Sequence, residues 1–228
     1  MQHRVLLITG ASSGIGAATA RAASREGYKL VLAARSTEKL EALASELGAE
    51  NVLTIGVDVT VMAQQEAMVD QAVERFGRID GVFANAGRGG SPGGFSGADH
   101  EAWREMILTN VYGVGLTLQA TLPALRKSRG HVLLTGSAAG RATIPGSMYS
   151  ASKWAVTGIG YNLREELRGS GIRVTLIEPG MVDTPFFDER PSHALQDRDI
   201  ANAVLYALIQ PPHVDVNEIL IRPTPPID

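Results

Sequence analysis

The sequence predicts a doubly wound α/β fold: a seven-stranded, mainly parallel sheet with helices on both faces. Three observations lead there. Short β-branched or leucine-rich runs alternate along the whole chain with longer segments of helical period, the order of repeated βαβ units. The strand-like runs are continuously apolar rather than alternating, as strands covered by helices on both sides must be. A glycine-rich turn follows the first strand-like run and opens the first helical segment, as in nucleotide-binding sheets.

Taken in order, the strands read from the apolar runs RVLLIT (4–9), KLVLAA (29–34), VLTIGV (52–57), GVFAN (81–85), HVLLTG (131–136), RVTLIE (173–178) and EILIR (218–222). Between them, helical spacing marks 15–26, 37–47, 62–76, 99–126, 149–168 and 197–209. The stretch GRGGSPGGFSG (87–97) has the composition of a linker. Its place between one strand and the next helix of the same series makes it an enlarged loop at the strand's carboxyl edge instead, where this architecture binds ligands. The ending RPTPPID is read as an extended proline-rich tail.

Bulk properties narrow the function classes. At 228 residues and 44% apolar composition, one substantial core is expected, hence a single domain over 1–228. A formal charge of -3 supplies no basic field for nucleic acid. Five scattered histidines, no cysteine and no HxxH or HExxH spacing give neither a disulfide nor an assigned metal ligand. The strand-like run starting at Arg4 leaves no space for a leader, and no stretch is long and apolar enough for a membrane span, so a cytoplasmic protein is expected.

TGASSGIG (9–16) sets Gly10, Gly14 and Gly16 at a strand-to-helix turn. Free N–H groups and the helix dipole make such a turn an anion site, and glycine lets the backbone approach a phosphate. The second strand ends LAARS, with Ala34 where an acid would meet the ribose hydroxyls of NAD and Arg35 beside it. A guanidinium pairs with a 2′-phosphate that a carboxylate would repel, so NADP(H) is expected over NAD(H). The alternative for Arg35 is a solvated side chain at the start of the next helix.

The chain resembles the short-chain dehydrogenase/reductase family, a Rossmann-fold group. The resemblance rests on TGASSGIG, VDV (57–59), NAG (85–87), Asn110 in TNVYG, Ser137 in TGSAAG, YSASK (149–153) and PGMVDT (179–184), in family order. It implies an alcohol/carbonyl oxidoreductase with Asn110, Ser137, Tyr149 and Lys153 as catalytic residues. It assigns Gly10, Ser12, Ser13, Gly14, Ile15 and Gly16 to the cofactor phosphates, and Asp58 and Val59 to the adenine. Asn85, Ala86 and Gly87 would steady the strand beside the cofactor. Pro179, Gly180, Val182 and Thr184 would lie at the nicotinamide end, and Tyr149 and Lys153 would also touch the cofactor.

Chemistry supports the central pair. Residues four apart on a helix are neighbours, and positive charge beside Tyr149 favours the phenolate, so Lys153 and the positive nicotinamide ring of the oxidised cofactor together are expected to lower the phenol's pKa from about 10. By the resemblance, Asn110 supports a water that relays protons to Lys153. Alternatives stay open: Ser137 as a helix N-cap, Asn110 as a polar group satisfied inside its helix, and Asp58 and Asn85 as strand-end turn residues. GSAAG is no nucleophile elbow, which would need the serine one position later.

DTPFFDERPSHALQDR (183–198) occupies the place of the family's substrate lid, with Phe186 and Phe187. Arg88 and Arg141 lie in loops that could offer a substrate carboxylate a partner, although a surface position is the plainer expectation for both. The resemblance implies small 3-hydroxy acids or assorted carbonyls as substrates. The helix at 149–168 is apolar on more than one face, and with 99–126 it is expected to form a homodimer or homotetramer interface. Two other function classes are alternatives: an NADP(H)-binding sensor without turnover, and a lyase or epimerase on the same scaffold.

Overall fold

The computed structural model describes residues 3–187 and 189–225. The chain runs β1 (Val5–Thr9), α1 (Gly14–Arg25), β2 (Lys29–Ala34), α2 (Thr37–Leu47), β3 (Val52–Gly56), α3 (Met62–Phe76) and β4 (Gly81–Ala84). It continues through a single turn α4 (Gly94–Gly97), α5 (His100–Ile107), α6 (Gly113–Ser128), β5 (His131–Thr135), α7 (Met148–Glu166) and β6 (Arg173–Pro179). A two-residue pair, β7 (Val182–Asp183) with β8 (Leu195–Gln196), precedes α8 (Asp197–Ile209) and β9 (Glu218–Ile221). Residues 226–228 of the proline-rich ending lie outside the described residues, as does Asp188 in the lid segment.

Seven strands form one sheet in the order β3-β2-β1-β4-β5-β6-β9, and each pairing within it is parallel. Successive side chains of a strand face opposite sides, so a continuously apolar strand feeds two cores. Leu6, Ile8, Leu30 and Leu32 pack with α1, α2 and α8, whereas Val5, Leu7, Val31 and Ala33 pack with α3, α6 and α7. Alanines at 17, 18, 20, 22 and 23 give α1 a small-residue face within the first of these cores. The order of strands turns back between β1 and β4, which opens a crevice outside their carboxyl ends.

Departures from the expected elements concentrate around that crevice. The helix expected over 99–126 is two helices, α5 and α6, joined by a π-helical turn at Leu108–Tyr112. The wider turn carries Asn110 inward to 1% exposure, a place where such turns are often functional. It also brings Gly113 against Val59 after β3, where a Cβ would come within 2.9 Å of Val59 Cγ2. The β7–β8 pair and α4 were not expected from sequence. Among the described residues no helix is long and apolar enough to cross a membrane.

Candidate active site

A cleft of about 560 Å³ runs along the carboxyl edge of the sheet. Its floor follows the strand order, with Asp58 after β3, Arg35 after β2, Gly10 after β1, Asn85 after β4, Ser137 after β5 and Pro179 at the end of β6. The expected cofactor and catalytic residues line it with two exceptions, Gly16 and Asn110.

At the centre, α1 opens at Gly14, and its N-cap Ser13 makes no side-chain cap bond, so the first-turn N–H groups remain directed at the cleft beside Ser12. Gly10 and Gly14 adopt φ of 64° and 50°, which favour glycine. A Cβ on Gly10 would lie 2.8 Å from Ala86 Cα, and one on Gly14 would lie 3.1 Å from Thr184 Cβ across the cleft. This bare, donor-rich cradle fits a pyrophosphate. Gly16 plays a different part from the one expected: it sits beneath the loop, where a Cβ would fall 2.3 Å from the Gly10 carbonyl oxygen and 2.8 Å from Asn85 Nδ2. It lets the helix seat against the turn rather than touching a ligand.

Asn85 ties three strands together. Its Nδ2 donates to the Thr9 and Gly10 carbonyls at 3.1 and 3.3 Å, and its Oδ1 accepts from Thr135 Oγ1 at 3.1 Å. At the β2–β3 end, exposed Arg35 lines the cleft with Ser36. Asp58 accepts from the Thr60 N–H and hydroxyl at 2.9 and 2.7 Å. These bonds, with a lesser contribution from the Arg35 charge, hold its carboxyl below the usual range. The turn-residue account of Asp58 is therefore correct, and the residue also faces the cleft.

At the β5–β6 end, Tyr149 lies in the first turn of α7, whose N-cap Ser147 accepts from the Ser150 N–H at 3.0 Å. Ser137 Oγ accepts from the Ala139 N–H at 3.1 Å, capping a single 3-10 turn. The same hydroxyl donates to the Pro179 carbonyl at 3.3 Å, and it stands near enough to the Tyr149 phenol to favour its ionised form. Lys153 is 5% exposed. Its Nζ donates to the Thr135 carbonyl at 2.8 Å and stands 5.7 Å from the centre of the Tyr149 ring.

Lys153 alone does not lower the phenol's pKa in this arrangement. Burial pushes Tyr149 above its usual range, and the nearby Ser137 hydroxyl offsets only part of that. Burial also brings Lys153 down to about 8. Asn110 is turned away from the cleft. Its Oδ1 accepts from Arg88 N at 2.9 Å, and its Nδ2 donates to Arg88 O at 3.0 Å and Ser152 Oγ at 3.2 Å. It clamps both backbone groups of the residue that follows NAG.

Residues 4–194 match the family model described as short chain dehydrogenase. The chain belongs to the short-chain dehydrogenase/reductase family. An uncharacterized oxidoreductase of Staphylococcus haemolyticus is 40% identical over 228 residues, with 98% of each chain covered. Among solved structures, the alcohol dehydrogenase of the archaeon Thermococcus sibiricus complexed with 5-hydroxy-NADP superposes with a TM-score of 0.91 at 35% identity, covering 99% of this chain and 100% of that one. Serine dehydrogenase from Escherichia coli matches with a TM-score of 0.87 at 32% identity, covering 95% of this chain and 96% of that one. This short-chain dehydrogenase/reductase is accordingly an oxidoreductase, and several of its structural neighbours are complexes with NADP or NADH.

The two arginines near the expected substrate region separate in the structure. Arg141 lies outside the cleft lining, donating to Glu178 Oε1 at 2.7 Å and Tyr161 Oη at 2.7 Å, with Glu218 2.6 Å away. Arg88 lines the cleft and pairs with Glu105, which lines it too. Sequence reasoning missed Thr135, because the group that holds Lys153 is a main-chain carbonyl and carries no side-chain signature. Its hydroxyl at a strand end, one residue before Gly136, was the available clue.

Proposed function

We propose that this short-chain dehydrogenase/reductase is an NADP(H)-dependent alcohol dehydrogenase or carbonyl reductase with Tyr149 as general acid and base. The observation that carries this reading is the meeting of Tyr149, Ser137 and Lys153 at one end of a cleft whose other parts hold the glycine loop and Arg35. The Thermococcus neighbour, an alcohol dehydrogenase bound to an NADP derivative, supports it. The nicotinamide of the dinucleotide supplies or accepts the hydride.

The chain's own residues handle the proton and the charge. Tyr149 donates its hydroxyl proton to a carbonyl oxygen as the alcohol forms, and as phenolate takes it back in the reverse direction. Ser137, which lines the same end of the cleft as the phenol, addresses the same substrate oxygen where charge develops. Lys153, with a pKa of about 8, holds the ribose side and exchanges protons near neutrality. Asn110 fixes the Arg88 backbone and Ser152 beside this pair, and a water relay from Lys153 past Asn110 belongs to the same proposal. The reading also takes the chain as a single cytoplasmic domain that acts on a small alcohol or carbonyl compound and assembles as a homodimer or homotetramer.

The test is initial-rate oxidation of NADPH, and separately NADH, against a panel of aldehydes, ketones, diketones and 3-oxo acids. Tyr149→Phe should lower kcat by about 10²- to 10⁴-fold while retaining NADPH binding, because proton transfer and binding are separable. Unchanged turnover in that variant would remove Tyr149 from the mechanism. NADPH binding by the wild type with silence across the panel would favour the sensor alternative.

A further inference from the structure

The reactive end of the cleft is walled by aromatic rings. Phe186 lies 5.7 Å from Tyr149 between ring centres, inclined by 59°, and 5.2 Å from Phe187 in an edge-to-face pair. Its edge rests on bare backbone, since a Cβ on Gly89 would stand 3.5 Å from both Cε1 and Cζ of Phe186. A Cβ on Gly90 would stand 3.3 Å from Tyr149 Cβ. The paired glycines thus let the loop after β4 close down on the Tyr149–Phe186 pair. Phe186 and Phe187 remain 41% and 39% exposed while lining the cleft, so they offer an apolar, flat surface to whatever enters.

Each cation at this end is already engaged by a hydrogen-bond acceptor. Arg141 is held by Glu178 and Glu218 away from the cleft lining. Arg88 is neutralised by Glu105, and the Lys153 ammonium is held by the Thr135 carbonyl. Among the described residues that line this end, no cation stands without a partner. A carboxylate entering here would exchange water for aromatic faces and meet Glu105, a costly move without a counter-ion.

We propose that Phe186 is the specificity-determining residue, selecting uncharged carbonyl compounds with an aromatic or broad apolar substituent next to the reacting carbon and disfavouring carboxylates. The selection rests on the oxidoreductase function proposed above. Phe186 acts by stacking on the substituent while the reacting oxygen lies between Tyr149 and Ser137. It narrows the two substrate classes expected from sequence to one, because the 3-hydroxy acids need the cation that the structure has engaged elsewhere.

The experiment compares kcat/KM with NADPH for benzaldehyde, 4-carboxybenzaldehyde, the methyl ester of the latter and propanal. In the wild type, benzaldehyde and the ester should exceed the carboxylate by roughly tenfold or more, the ester controlling for size and ring electronics. Phe186→Ala should lower the benzaldehyde-to-propanal ratio by about tenfold, chiefly through KM, and Phe186→Leu should restore part of it. Glu105→Gln, which leaves Arg88 without its counter-ion, should raise kcat/KM for the carboxylate selectively. A wild-type preference for the carboxylate, or a ratio that Phe186→Ala leaves unaltered, overturns the assignment of Phe186 while the oxidoreductase reading stands. Absence of turnover for all four while a ketone or 3-oxo acid of the wider panel is reduced overturns the Phe186 assignment alone, and silence across the whole panel with NADPH bound overturns both.

Discussion

Arg35 follows directly on the buried end of β2 and lines the cleft beside Ser36, whose side chain makes no cap bond to α2. The neighbouring Asp58 is turned onto Thr60, so its negative charge is already engaged by hydrogen bonds. A 2′-phosphate arriving between them would find a guanidinium and a free hydroxyl. Arg35→Ala should therefore raise KM for NADPH by roughly tenfold, a charge-assisted bond at an exposed site being worth about that much, and leave KM for NADH far less affected. Initial rates at low ionic strength with both cofactors decide this, and equal losses would show that Arg35 does not read the phosphate. At this scale the sequence was informative where a side chain announces its chemistry, as with Tyr149, Lys153 and Arg35. It was less so where packing decides: Gly16 and Asn110 match motif positions but support the cleft from behind, and pattern alone does not separate lining from support.

Elements were legible where apolar period and buried face agree. The seven strands fall within a residue or two of their expected spans because each continuous apolar run must feed both cores. The π-helical turn at Leu108–Tyr112 was not legible, since a helical period persists through it and the close approach that accompanies it, Gly113 against Val59, is distant in sequence. Helix α7 explains the apolar excess seen in its sequence. One side packs Val156 and Leu163 into the core, while Trp154 and Tyr161 stay 48% and 41% exposed on the other. Gly158 on α7 and Gly115 on α6 meet nothing within 4 Å of where a Cβ would stand, so packing within the chain gives no reason for glycine there. Close approach of a second copy would give one. Sedimentation velocity at micromolar concentration should show a dimer or larger species, and Trp154→Glu should shift it toward monomer. A wild-type monomer would sink the assembly.

On the scale of the whole molecule, the sheet is tied at both edges of its strands, and the edge opposite the cleft has its own titrating group. His131, 2% exposed at the start of β5, meets Thr175 Oγ1 at 2.7 Å through Nε2, and Nδ1 has no partner. Thr175 Oγ1 in turn donates to the Val216 carbonyl, so the imidazole donates from Nε2 and is neutral. Burial, helped by the Arg173 charge, lowers its pKa from 6.5 to about 3. The unfolded chain therefore takes up this proton first as pH falls. The stability contribution is complete above 6.5 and is lost progressively toward 3, at about 1.4 kcal/mol per pH unit. Urea midpoints between pH 6.5 and 5, above the main carboxylate range, should fall more steeply for the wild type than for His131→Gln. Parallel slopes would exclude His131 as the cause.

The β7–β8 pair joins Val182 to Leu195 and Asp183 to Gln196, and the Leu195 N–H also donates to the Met181 carbonyl at 3.0 Å. The segment between them consequently leaves and re-enters the scaffold at adjacent residues, like a cassette with its own clasp. Lengthening such a loop costs only about 0.6 kcal/mol per doubling, and none of the described residues between the clasped ends belongs to a strand of the main sheet. Descent can therefore rewrite this segment while the seven-stranded sheet and its glycine turn stay as they are.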